Sequence, residues 1–355
     1  MKHGRFGGLA IAAAAALTLA ACSGGTTSAA SSGDTSSSSS GGSADKPLRV
    51  VNVINGSLGD QGFFDDAARG MAAIAKTGAE TRNIQADAEN PAQWRSNLES
   101  VSGGDWDLVI TGTSQMVDIL NETAPKYPDQ KYVIYDSVVD QPNVASIVYK
   151  QNEGSFLAGV LAGLVTEDPS TFPKANADKT VGLVGGMDIP VINDFVAGFK
   201  AGVEAVDPDI QVLVSYVGDF TDSNRGFDQA TAMYDQGADV VFQVAGGAGI
   251  GVLRAAEQSD KYAIGVDANQ NALHKGYILA SMLKNVGVSL ENAFEQFKKG
   301  DLAFGQTTEY GLANNGVGLV FEDNGGIVPD SIQKDIKDYA QKVIDGQIKV
   351  PSATS

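Results

Sequence analysis

The sequence predicts an α/β protein built as two doubly wound parallel-sheet lobes, and three observations predict it. Short apolar, β-branched runs alternate with stretches whose apolar residues recur at helical spacing. The 355 residues suit two compact lobes at a prior of roughly 150 residues each. The two halves of the chain also repeat one arrangement, a strand that runs through a Gly- and Asp-bearing loop into a helix.

The N-terminal segment carries no part of that pattern. Lys2 and Arg5 precede an alanine-rich apolar run, Leu9 to Ala21, and small residues lead into Cys22, which is the layout of an export signal. The run, about 13 residues, is shorter than the roughly 20 that cross a bilayer as a helix. Leu19-Ala20-Ala21-Cys22 resembles the lipobox of bacterial lipoproteins, which makes Cys22 the candidate lipidation site and the new N-terminus after cleavage. From Ser23 to Asp45 the chain is nearly all Ser, Gly, Thr and Ala, with no large apolar side chain to offset the entropy of ordering. That composition predicts a flexible tether with a root-mean-square span of roughly 25 to 30 Å, enough to stand a domain off a membrane. The expected organisation is therefore a signal over 1–22, a tether over 23–45 and a two-lobe domain over 46–355. Lobe 1 takes about 46–147 with part of 275–315, and lobe 2 takes about 148–274 with the C-terminal segment.

The strands expected in the folded part are Leu48 to Ile54, Asp107 to Thr111, Tyr132 to Tyr135, Val181 to Val184, Gln211 to Val217, Val240 to Val244, Tyr262 to Val266 and Tyr277 to Leu283. Each is a short run closed by a turn-forming or polar residue, as buried parallel strands are. Phe64, Ala67, Ala68, Met71 and Ile74 space out one helix, and Phe195, Val196, Phe199 and Val203 another. The stretch from Asp301 to Val328 reads equally as strands or as loop. In the first half a strand leads through Gly56 and Asp60 into the first helix; in the second, a strand leads through Gly185, Gly186 and Asp188 into a helix. A second echo places one carboxylate at a strand tip in each half, Asp136 after Val133-Ile134-Tyr135 and Asp267 after Ile264-Gly265-Val266. Ligands of open parallel sheets sit outside the carboxyl ends of the strands, so two such rims facing each other make a cleft.

Composition removes several function classes. Twenty-five basic against 43 acidic residues give a formal charge of -18, which opposes nucleic-acid binding. Cys22 is the sole cysteine and there are two histidines, so neither a disulfide framework nor a cysteine-built metal cage is available, and no cofactor is expected. Gly246-Gly247-Ala248-Gly249-Ile250-Gly251, with Asp267 about 20 residues on, imitates a dinucleotide fingerprint but misses its G-x-G-x-x-G spacing. No Ser–His pairing, HExxH or GxSxG is present, so no catalytic set emerges. Asp267 reads either as an acceptor for a vicinal diol or as a helix N-cap before Asn269. Of Phe63 and Phe64, one is expected in the core and the other on the cleft wall, where it can stack on a planar ligand. Lys284 reads as a cleft residue or as an exposed strand-end charge.

A resemblance then gathers these pieces. The run from Gly59 to Gly70 (GDQGFFDDAARG), Val144-Ala145-Ser146, Asn152 to Gly159 (NEGSFLAG), Val184 to Pro190 (VGGMDIP), Tyr234 to Val240 (YDQGADV), Ala245 to Gly249 (AGGAG) and Ile264-Gly265-Val266-Asp267 resemble, in order, the basic membrane protein family. The likeness covers nearly all of Lys46 to Ile344. These are lipoproteins similar to the purine nucleoside receptor, the substrate-binding components of ABC importers. The resemblance implies a type I periplasmic-binding-protein fold, two α/β lobes joined by hinge crossovers. It implies a nucleoside, purine preferred, clamped between the lobes, and no enzymatic activity. By it Phe63 is the base-stacking aromatic, Asp136 addresses the base, and Asp267 with Lys284 fixes the ribose. Asp60, Phe195 and the Gly246-Gly247 turn line the cleft beside them. Partners implied are an ABC permease with its ATPase, and the membrane through a lipid on Cys22, with the protein a monomer on the extracytoplasmic face. One departure stands out: Phe64 occupies the position where the family usually carries Asn. Rival readings are a sugar or other small polar ligand in the same cleft, a secreted nucleoside hydrolase, and a sensor reporting occupancy to a membrane kinase.

Overall fold

The computed structural model describes residues 46–354; the segments expected to be an export signal and a tether, with Cys22, lie outside the described residues. The chain begins with β1 (Arg49–Val53), α1 (Phe63–Lys76), β2 (Glu80–Ile84), α2 (Pro91–Val101), β3 (Leu108–Gly112), α3 (Val117–Thr123), β4 (Tyr132–Tyr135) and β5 (Val144–Tyr149). It continues with α4 (Gln151–Glu167), β6 (Thr180–Gly185), α5 (Pro190–Glu204), β7 (Gln211–Tyr216), α6 (Ser223–Asp235), β8 (Ala238–Val244), α7 (Gly249–Gln258), β9 (Tyr262–Asp267) and β10 (Ile278–Lys284). It closes with α8 (Val286–Lys299), β11 (Thr307–Tyr310), β12 (Val317–Val320) and α9 (Asp330–Ile344).

Two six-stranded sheets result, in the orders β11-β5-β4-β3-β1-β2 and β12-β10-β9-β8-β6-β7. The first five strands of each half are arranged alike, 2-1-3-4-5, the doubly wound order of flavodoxin-like sheets. The echo in the sequence is thus an echo in topology. Each sheet ends on a strand from the C-terminal part: β11 adds parallel to β5, and β12 adds antiparallel to β10. The chain consequently passes between sheets three times, at β5 to α4, at β10 to α8, and between β11 and β12.

Helix α1 shows how residues set an element. The Asp60 carboxylate accepts hydrogen bonds from the backbone N–H groups of Gly62 (3.1 Å), Phe64 (2.8 Å) and Asp65 (3.1 Å), satisfying donors that a helix start leaves orphaned. Asp65 and Asp66 in the first turn complement the helix dipole. Ala67, Gly70, Met71 and Ile74 form the buried stripe. Phe64, placed on that stripe from its spacing, departs from it because it is on the first turn and faces the cleft.

The two lobes repeat one packing device. A Cβ on Gly70 would collide with the backbone of Gly287, so α1 and α8 cross in close contact only with glycine there. A Cβ on Gly198 would likewise strike the Asn152 carbonyl and separate α4 from α5. Helix α4 is buried on almost every face, as its run of small and apolar residues allows. Two strands were absent from the expected set. β2 (ETRNI) is a half-exposed edge strand with charged residues, and β5 (VASIVY) is buried but interrupted by a serine.

Candidate ligand-binding site

Nearly every loop at a strand's carboxyl end opens onto one cavity of about 470 Å³, within the range of small-molecule sites. From the first sheet come the segment after β1 (Asn55 to Asp60, then Phe63 and Phe64), Ala88 and Glu89 after β2, Thr113 to Gln115 after β3 and Asp136 after β4. From the second come Met187, Ile189, Val191, Ile192 and Phe195 after β6, Asp219, Phe220, Thr221 and Ser223 after β7, Gly246 and Gly247 after β8, Asp267 after β9 and Lys284 at the end of β10. All eight residues singled out from sequence, Asp60, Phe63, Asp136, Phe195, Gly246, Gly247, Asp267 and Lys284, border it.

The backbone at the rim is unusual. Gln61, Thr113, Asp136 and Asp267 all have positive φ, of 55°, 77°, 62° and 65°. Asp tolerates that region; Thr113, at φ 77° and ψ 154°, lies in a region that is essentially glycine's own. Its hydroxyl donates to Asn55 Oδ1 at 3.2 Å, and Asn55 Nδ2 donates to Gln115 Oε1 at 2.8 Å, which braces the strained turn.

The charges are five carboxylates, Asp60, Glu89, Asp136, Asp219 and Asp267, and one ammonium, Lys284. Lys284, with 2% of its side chain exposed, forms an ion pair with Asp136 of the opposite sheet. Its Nζ also sits 5.5, 5.1 and 5.4 Å from the ring centroids of Phe63, Tyr149 and Phe195. Its reading as an exposed strand-end charge is corrected by this burial, and its first partner is Asp136 rather than Asp267. Burial raises Asp136 above the ordinary carboxylate range, with Lys284 pulling the other way. Burial also raises Asp60, opposed by its three backbone donors. Asp267 goes furthest, up to about 7: burial dominates, Asp60, Asp136 and Asp66 add to it, and Lys284 counteracts. Asp267 is 7% exposed, and among the described residues no hydrogen bond reaches its carboxylate. It caps no helix, because β9 runs into turns.

Both phenylalanines border the cavity and Phe63 also packs against the core, so the expected division of one ring to the core and one to the cleft wall is not clean. Their centroids are 5.3 Å apart at 70°, and Phe63 also packs on Tyr135 at 5.5 Å. The Phe64 ring covers Gly56, where any side chain would collide with it. The glycines after Gly247 serve packing: a Cβ on Gly249 would strike Gln243, and one on Gly251 would strike the Ser223 carbonyl. That explains the imperfect dinucleotide spacing.

Residues 48–354 match the family model described as ABC transporter substrate-binding protein PnrA-like. The chain belongs to this PnrA-like family. Among its relatives, a "CD4+ T-cell-stimulating antigen" of Listeria monocytogenes is 34% identical over 318 residues, 83% of this chain and 85% of that one. The "ABC transporter nucleoside-binding protein BmpA" of Lactococcus lactis is 31% identical over 329 residues, 87% and 90% of the two chains. A solved ABC transporter solute-binding protein from Aeropyrum pernix superposes with a TM-score of 0.77 at 26% identity, covering 86% of this chain and 94% of that one. As a PnrA-like substrate-binding protein of an ABC importer, the molecule works outside the cytoplasm. No helix among the described residues is long and apolar enough to cross a membrane.

Sequence reasoning missed several lining residues of this PnrA-like cleft. Phe220 lies against Gly186 and the Gly246-Gly247 turn and gives the second sheet a ring at the cavity in addition to Phe195. Thr113 and Asn55 carry no motif that would have singled them out. A phenylalanine in a loop closing an expected strand, as Phe220 is after β7, was the available signal.

Proposed function

We propose that this protein captures a nucleoside, purine preferred, between its two lobes and delivers it to an ABC permease driven by its ATPase. The observation that carries the reading is the pairing, on opposite walls of one cavity, of the Phe63 ring with the unpartnered Asp267 carboxylate. A planar base stacks on Phe63, with Phe220 on the other wall, and the two ribose hydroxyls donate to Asp267. Asp136, held by Lys284, addresses the polar edge of the base. The name of the Lactococcus lactis relative supports this ligand class. Ligand contacts from both walls favour the closed arrangement over an open one, which is what a capture protein needs.

In the same reading the chain is exported, cleaved before Cys22 and anchored by lipid there, with residues 23–45 as tether and the two lobes divided as the sheets are. It acts as a monomer and without chemical conversion of its ligand. The test is isothermal titration of the purified protein with inosine, guanosine, adenosine, cytidine, free bases and ribose. Purine nucleosides binding at a 1:1 ratio, with Asp267→Ala abolishing the heat, is the expected result. Binding of sugars alone would retain the cleft and overturn the ligand class, and Phe64, in place of the family's Asn, would then be the first residue to exchange.

A further inference from the structure

One buried polar side chain joins the two walls without touching the cavity. Gln270 lies in the β9–β10 connection of the second sheet and is 2% exposed. Its Oε1 accepts from Gln243 Nε2 at 2.7 Å and from the Val266 N–H at 3.0 Å. Its own N–H donates to Ser281 Oγ at 3.0 Å. Gln243 is fully buried and accepts from the Ala245 N–H at 3.1 Å, so its amide is also oriented. With Oε1 taken by two donors, the Gln270 amide has one direction left for Nε2. That group donates at 3.1 Å to the Gln61 carbonyl, in the α1 approach loop of the first sheet.

Two features make this contact more than packing. Neither Gln61 nor Gln270 lies in a crossover, so opening the cleft has to break their bond, whereas Lys284 and Asp136 meet one residue from the β10–α8 crossover. The same Oε1 also receives the N–H of Val266, directly before Asp267, whose positive φ turns its carboxylate toward the cavity. A Cβ on Gly62, next to Gln61, would lie 3.5 Å from Asp267 Oδ2 and 3.6 Å from Gln270 Nε2, so the loop that Gln270 holds is also the loop that covers Asp267.

We propose that Gln270 is a positioning residue for ligand capture: its amide clasps the Gln61 carbonyl when the lobes meet, while the other end of the same amide holds the Asp267 turn. Closure and presentation of Asp267 are thereby one event, and part of the closing energy comes from the protein rather than from the ligand. The inference rests on the reading of the cleft as a capture site that opens and closes.

Gln270→Glu keeps the two acceptor contacts and replaces the donor to Gln61 with a second acceptor, so it breaks the clasp selectively. Gln270→Met removes the donor without adding charge, and with it the acceptor of Gln243 Nε2 and the Val266 N–H, and is measured alongside, so a folding failure in one leaves the other. Small-angle X-ray scattering of the ligand-free full chain, in detergent, reads the lobe arrangement; inosine titration with stopped-flow kinetics reads capture. The variants are expected to show a larger radius of gyration than the parent. Inosine affinity is expected to fall about threefold to tenfold, the worth of one net hydrogen bond, mostly through faster release. Identical scattering in parent and variants overturns the clasp, whether or not inosine binds. If inosine binds neither protein but the scattering differs, the clasp stands and the nucleoside reading fails. A lowered melting point with unchanged scattering also overturns it, because that is what a purely structural role produces.

Discussion

Replacing Asp267 by Asn should make the protein more stable, and increasingly so as the pH rises. Asp267 is nearly buried, surrounded by Asp60, Asp136 and Asp66, and opposed only in part by Lys284. Its pKa is lifted from 3.8 to about 7, roughly three units. At 1.36 kcal/mol per unit the penalty for ionising it in the folded state has a ceiling of about 4 kcal/mol. The sign follows from linkage. A folded pKa above the unfolded one means the folded state holds the proton more tightly. The contribution is fully present below about pH 4 and is lost progressively as pH rises through about 7. Asn is neutral throughout and nearly isosteric, so it escapes that loss. A protein of this size shifts its melting point by about 2 °C per kcal/mol. Scanning calorimetry of both ligand-free proteins between pH 4 and 8.5 should therefore show the Asn variant pulling ahead by as much as about 8 °C, most of it gained between pH 5 and 7.5. A gap that stays constant across that range would refute the argument, because the buried charge would then carry no net penalty. Nucleoside binding should move the opposite way, since the amide offers one acceptor where the carboxylate offered two.

Lys284→Met leaves Asp136 ionised or protonated without its partner in a nearly dry site, and should cost about 3 to 5 kcal/mol, read as urea midpoint. Thr113→Gly removes a residue from backbone space that suits glycine, and should stabilise the protein by about 1 kcal/mol in the same assay while loosening the Asn55 contact. Phe63→Ala should weaken purine nucleosides about tenfold or more in titration calorimetry, the loss of one stacking face, and leave ribose binding unchanged.

The sequence made the sheets legible where strands are buried on both faces, because a continuous run such as VVFQV has no other easy home. β2 escaped because an edge strand at half exposure can be charged: ETRNI contributes backbone pairing with β1 and little core. The stretch that holds β11 and β12 stayed open between strand and loop for a different reason. Each is four residues long and finds its partner in a sheet whose other strands are far away in sequence, so local pattern says nothing of which lobe it joins. The cleft residues were legible as strand tips carrying Asp or aromatic side chains. What the pattern could not supply is pairing across the cleft: that Lys284 would reach Asp136, or that Gln270 would hold a backbone carbonyl, depends on how two sheets face each other.

The energetics of the cleft run against those of the rest of the fold. Of the non-glycine residues with positive φ, Lys179, Asp260, Asn315 and Asp323 lie in connections away from the cavity, while Gln61, Thr113, Asp136 and Asp267 border it or approach it. The raised carboxylates Asp60, Asp136 and Asp267 line the same cavity. Backbone strain and buried like charge both cost free energy, and the charge part is offset by a ligand that donates hydrogen bonds and brings no negative charge of its own. A phosphate would meet five carboxylates and a lysine already engaged, so the lining disfavours phosphorylated ligands. The tightly packed pairs α1–α8 and α4–α5, which only glycine permits to approach so closely, give the two sheets the firm backing that holding this strain and charge at their tips requires.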